Sequence, residues 1–254
     1  MRIQGLAGTA VSVAMVLSSA APAAAEIRTD GLSGRNLKTW KAIVAVILAV
    51  GPDGQPLHTT LHRLYRELDS SAHAVRILIP HMKGSSCIAG RFRIDALGSE
   101  GRHETSILLN VRTIDRVLTG SPDAQLVSFD TLGRTERYAQ VLGHEMAHAA
   151  WTLGDAENTR LVVDVQRRSL ELARRAQTEG VAGEGFAEAV QENERLVRSL
   201  EEPALAAEAA ITEELRAGRQ PLPGLRSGSR YATSKGTVGT RDPRPEWCQV
   251  GPSP

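Results

Sequence analysis

Residues 141–155 read VLGHEMAHAAWTLGD, and the five residues HEMAH constrain this chain more than any other feature. On an α-helix, His144 and His148 lie about 40° apart around the axis and one turn apart along it. Their imidazoles can then meet one metal ion. Glu145 lies beside them, where its carboxylate reaches a metal-bound water rather than the metal. Zinc would lower the pKa of that water, and Glu145 would take its proton. The hydroxide would attack a polarised carbonyl, and Glu145 would return the proton to the leaving amine.

The two faces of this helix agree with that reading. Leu142, Met146, Ala149 and Leu153 share one face and suit a core, while His144, His148 and Trp151 lie opposite. A surface helix normally carries charge on its outer face. Two histidines and a tryptophan there predict the floor of a cleft between two packed halves. HExxH also occurs by chance without metal, but here it falls in a helix-compatible run with suitable faces.

A catalytic zinc takes three protein ligands and a water, so a third ligand is required. A histidine six residues after the second would stand at 154, beyond a turning glycine at 151, but those positions hold Gly154 and Trp151. Asp155 follows directly and is one alternative, although Leu153-Gly154 reads as a helix end and Asp155 as the N-cap of the next helix. The other alternative lies in EEPALAAEAAITEEL, residues 201–215. There Glu208 is flanked on the helical wheel by Leu205, Ile211 and Leu215. A carboxylate central to an apolar face is costly to bury unless paired or metal-bound. Glu202, Glu213 and Glu214 point away from this stripe. Glu201 is close to it, but with Pro203 in the first turn of a final helix, Glu201 reads as a helix-start acid complementing the dipole. This selects Glu208.

The rest of the chain sets the context. Residues 1–25 have a basic start at Arg2, an apolar run from Leu6 to Leu17 and Ala23-Ala24-Ala25 before Glu26. This is the layout of a cleavable export signal and predicts a periplasmic or secreted protein. Residues 26–35 read as a linker, 36–218 as the folded domain, and 219–254 as a basic tail rich in Pro, Gly and Ser. The apolar run Ala42–Val50 is too short to cross a bilayer. A net charge of +1 over 254 residues gives no global field for nucleic acid. Cys87 and Cys248 form a possible disulfide in an exported chain.

Three short runs, 75–79, 88–94 and 106–111, predict strands, and the chain from Thr135 to Ala217 reads as helices with breaks near 153–154 and 180–185. The fold class is therefore α+β, mainly helical, with a small sheet before the HEMAH helix. His58 and His62 also have i, i+4 spacing, but they lack an adjacent acid and read as a solvated or capping pair. Tyr138, Tyr231 and His103 are possible oxyanion stabilisers, with nothing in the spacing to choose among them.

On HEMAH and the downstream helical glutamate, the chain resembles the zincin metallopeptidases of gluzincin type, and a group of secreted bacterial predicted metallopeptidases of unassigned substrate. The resemblance implies one zinc held by His144, His148 and Glu208, Glu145 as catalytic base, and a peptide or protein substrate. It also implies a sheet whose edge strand aligns an extended peptide. SILLNV, residues 106–111, is expected to fill that role through Ser106, Leu108 and Asn110. Thermolysin-like members place an Asp four residues after the ligand Glu, where this chain has Thr212. The alternative is a non-catalytic exported domain that keeps zinc or the bare fold for binding a partner. The lack of a nearby Cys to close the metal site favours catalysis.

Overall fold

In the strand β2 (Ala74–Leu78) Val75 and Ile77 are buried while Arg76 is exposed. This period of two leaves one apolar sheet face to be covered by helices. The architecture comes from a computed structural model describing residues 27–80, 89–97, 102–119, 132–178 and 185–217. The stretch expected to be an export signal, Cys87, Cys248, Tyr231 and the expected tail lie outside the described residues.

The remaining elements are β1 (Ile27–Arg28), α1 (Gly34–Ile47), α2 (Thr59–Asp69), β3 (Gly90–Leu97), β4 (His103–Leu109), α3 (Val111–Thr119), α4 (Arg134–Leu153), α5 (Ala156–Thr178) and α6 (Phe186–Arg216). The fold is α+β. Ile27 and Arg28, within the stretch expected to be a linker, pair with β2. No helix among the described residues is long and apolar enough to cross a membrane.

The strand order is β1-β2-β4-β3, with β1, β2 and β4 parallel and β3 antiparallel to β4. This corrects the expectation for residues 106–111. β4 is hydrogen-bonded on both sides, so Ser106 and Leu108 have no free edge to offer a peptide. Among the described residues β3 is an edge strand instead, as β1 is on the opposite side. Asn110 lies beyond the strand and is buried. Its backbone N–H donates to the Ala89 carbonyl at 2.8 Å, and its Oδ1 accepts from the Thr113 N–H at 3.2 Å. The residue thus caps α3, a helix that strand periodicity in SILLNV obscures.

α4 crosses the apolar face of the sheet and is the centre of the core. Ala139, Leu142, Met146 and Ala149 are fully buried in one cluster with Ile43, Leu61, Ile77, Ile107 and Ile211. Gly143 is required here by close approach. A Cβ at this position would stand 2.5 Å from Ile211 Cδ1 and 2.7 Å from Leu61 Cδ2, so the bare backbone lets α2 and α6 close on α4. The last carbonyls of α4 are also satisfied across the turn into α5: Thr152 accepts from the Thr159 hydroxyl at 2.7 Å, and Trp151 from Asn158 Nδ2 at 2.9 Å.

α6 runs unbroken through Pro203, which corrects the expectation that Pro203 begins a final helix. Proline removes one intrahelical N–H, but the turns around it are held by packing, with Asn193, Ala204, Ile211 and Leu215 all buried. Near its end, α6 also closes onto α2. The Glu214 carboxylate accepts from the Thr60 N–H at 3.0 Å and from the Thr60 hydroxyl at 2.6 Å. An acid on the first turn of α2 complements the unsatisfied N–H groups there. His58 occupies the N-cap position of this helix, and no metal-ligating group of three forms around His58 and His62 among the described residues.

Candidate metal centre

α4 brings His144 and His148 to one point, as helical spacing requires. Their Nε2 atoms are 3.2 Å apart, with the rings edge to face. The third group at that point is Glu201, whose Oε2 lies 3.4 Å from His144 Nε2 and 3.3 Å from His148 Nε2. Among the described residues, His144, His148 and Glu201 are the one group of three side chains able to hold a metal ion. The spacing provides a test of fit. Ligands at about 2.0–2.1 Å in tetrahedral array stand about 3.3 Å from one another. The three separations match that triangle, and two imidazoles with one carboxylate are a donor set that suits zinc.

Glu208, selected on the wheel as third ligand, is placed elsewhere. Its Oε2 meets the other nitrogen of the same ring, His144 Nδ1, at 2.9 Å. A carboxylate on Nδ1 keeps a proton there when the ring is neutral, so that the Nε2 lone pair then faces the cluster. Glu208 is itself braced. Gln140 Nε2 donates to Thr212 Oγ1 at 2.6 Å and lies 3.4 Å from Glu208 Oε1, while the Thr212 hydroxyl donates to the Glu208 carbonyl at 2.7 Å. Arg137 holds the Gln140 carbonyl from behind.

The difference between the wheel reading and this geometry has a physical cause. Glu201 reads as a helix-start acid only if α6 begins near Pro203. With the helix starting at Phe186, Glu201 is an interior residue seven positions before Glu208, about 20° from it around the axis. The i, i+7 pair of acids on one stripe was the available signal. Asp155 serves as the cap expected of it: its Oδ1 accepts from the Glu157 N–H at 2.7 Å at the exposed start of α5.

Glu145 is 7% exposed and points to the sheet edge, where its Oε2 accepts from the Phe92 N–H at 2.6 Å. In β3 the backbone groups of Arg91 and Arg93 face β4, while those of Gly90, Phe92 and Ile94 turn to the outer edge, which no other described strand pairs. A Cβ at Gly90 would stand 2.6 Å from Glu145 Oε1 and 2.7 Å from its Cγ. Glycine therefore makes the cradle in which this carboxylate rests.

The electrostatics follow from the same contacts. Burial pushes the His144 pKa down, but the hydrogen bonds of Glu201 and Glu208 outweigh it and raise the value to about 10. The hydrogen bonds from His144 and His148 hold Glu201 down at about 2. Burial raises the Glu145 pKa, against the pull of both histidines and the Phe92 N–H.

Of the oxyanion residues considered, Tyr138 is buried, donates to Asp115 and accepts from Arg134 Nε at 2.7 Å. Burial and the Asp115 bond push its pKa up to about 12. His103 stacks on His73 with ring centroids 5.3 Å apart, and its backbone N–H donates to His73 Nδ1 at 3.2 Å. Comparison with protein-family models, with curated proteins and with solved structures finds no match to this chain.

Proposed function

We propose that this chain is an exported zinc-dependent peptidase of gluzincin type, with His144, His148 and Glu201 as the ligands. The observation that carries the reading is the His144–His148–Glu201 triangle, with sides of 3.2–3.4 Å, beside a buried carboxylate on the edge of a sheet. Zinc bound there supplies Lewis acidity, acidifying a water and polarising a peptide carbonyl.

The chain's own groups do the rest. Glu145 accepts the proton of the attacking water at its carboxylate and delivers it to the leaving amine nitrogen. Its partly desolvated setting raises its pKa toward the range in which a carboxylate can both accept and return a proton. Glu208 keeps the His144 proton on Nδ1. The outer edge of β3, with the backbone groups of Gly90 and Ile94 and the carbonyl of Phe92, whose N–H is held by Glu145, offers partners to an extended peptide, replacing β4 in that role.

The test is elemental mass spectrometry of the purified chain, followed by a peptide-library screen. About one zinc per chain, lost in Glu201→Ala, with cleavage abolished in Glu145→Gln, is the expected result. A chain that takes up no zinc after reconstitution overturns the metal centre. A zinc-loaded chain that cleaves nothing in the library, and whose metal is closed to small anions such as azide, overturns catalysis and leaves a zinc-bearing binding domain.

A further inference from the structure

The sheet face opposite α4 carries a second constellation, unrelated to the metal ligands. Strand register places Arg28 directly beside Arg76, Arg76 beside Ser106 and Ser106 beside Arg93. One row across all four strands thus holds three arginines and a serine. Directly paired residues project from the same face, and neighbouring strands lie about 4.8 Å apart. Arg28 and Arg76 are adjacent, while Arg93 stands two strands, about 10 Å, beyond Arg76.

Like charges directly opposite one another weaken a sheet, and the chain does little to offset them here. The Arg28 and Arg76 side chains make no hydrogen bond or ion pair among the described residues, whereas Arg63, Arg66, Arg134, Arg167 and Arg195 each hold an acid. Arg93 is tied to Asp95 at 2.6 Å. Glu104 stands opposite Ala74, one diagonal from Arg76, and forms no ion pair with either free arginine. Ser106 is 2% exposed, and its hydroxyl has no hydrogen-bond partner among the described residues. The same face opens into a cavity of about 290 Å³ lined by Arg28, Arg76, Arg93, Asp95 and Glu104, among others.

We propose that this row is a binding site for an oxyanion group, a phosphate or a carboxylate, held between the Arg28 and Arg76 guanidinium groups. Planar guanidinium forks match either oxyanion. An anion there would cancel the like-charge pair that the fold leaves uncompensated. The nearby Asp95 and Glu104 favour a compact group over a long polyanion. The site does not depend on the metal centre.

The experiment is calorimetric titration of the full chain at low salt with inorganic phosphate and, separately, with succinate. Saturable binding of either is expected, weakened at least tenfold in Arg76→Ala and unchanged in Glu201→Ala. Phosphate alone, or succinate alone, identifies the group, and binding of both defines a general oxyanion site. Arg76→Glu is the second variant: it should pair with Arg28, raise the melting temperature and abolish binding, which separates loss of the site from loss of the fold. Absence of saturable binding by both anions, or equal binding by the folded Arg76→Ala protein, overturns the proposal.

Discussion

Glu201 and Glu208 stand seven residues apart on α6 and reach opposite nitrogens of one imidazole, Nε2 of His144 at 3.4 Å and Nδ1 at 2.9 Å. Their removal should therefore have different consequences. Glu201→Ala should lose zinc on dialysis. Glu208→Ala should retain about one zinc but bind it some 10–100-fold more weakly, the usual effect of removing a carboxylate behind a ligating histidine. Competition with a chromophoric chelator measures both. Equal loss in the two variants would mean that Glu208 also enters the coordination sphere.

Gln140 and Thr212 brace Glu208 without reaching His144. Gln140→Leu should weaken zinc less than Glu208→Ala does. It should also destabilise the fold by about 1–2 kcal/mol, because the Arg137 and Thr212 groups lose a buried partner. Chelator competition and chemical denaturation test the two effects separately.

At Gly90 even one methyl group conflicts with Glu145, since its Cβ would stand 2.6 Å from Oε1. Gly90→Ala should move the carboxylate and lower kcat by roughly 10–100-fold, a part of the 10²–10⁴ that a positioned acid–base group supplies. Zinc content should stay near that of the unaltered chain. Unchanged kcat would show that Glu145 does not work from this cradle.

Zinc bound as proposed would compete with protons for His144. In the protein stripped of metal its pKa is held up at about 10 by Glu201 and Glu208, so loading at pH 7 must release a proton. Zinc affinity should rise about tenfold per pH unit through the neutral range. Calorimetry in buffers of different ionisation enthalpy should count about one proton released. A pH-independent affinity between pH 6 and 9 would show that His144 is already neutral.

The same shifts set the stability of the stripped protein. The raised His144 pKa stabilises the fold fully below its unfolded value near 6.5, and that contribution is lost as pH rises towards 10. The depressed Glu201 pKa stabilises above its unfolded value near 4.5 and is lost as pH falls towards 2. Melting temperature should therefore decline on both sides of about pH 4.5–6.5, and Glu201→Gln should flatten both limbs. An unaltered profile in that variant would dissociate the pair from the fold.

Sequence by itself determined what depends on neighbours along the chain. The i, i+4 spacing of His144 and His148 on a helix with Leu142 and Met146 on its other face is enough to place both imidazoles at one point, because helical geometry is local. The Asp155 cap was legible for the same reason. Only the tertiary structure decided which acid completes the triangle. That choice depends on α6 continuing through Pro203, and packing of Ala204, Ile211 and Leu215 against the core overrides the proline's local preference. Strand order was likewise beyond the sequence. Ser106 and Leu108 alternate as any half-buried strand would, and whether β4 or β3 takes the edge depends on partners distant along the chain. Gly90 shows the same division: its lack of a side chain acquires meaning only where Glu145, 55 positions later in the sequence, needs the space.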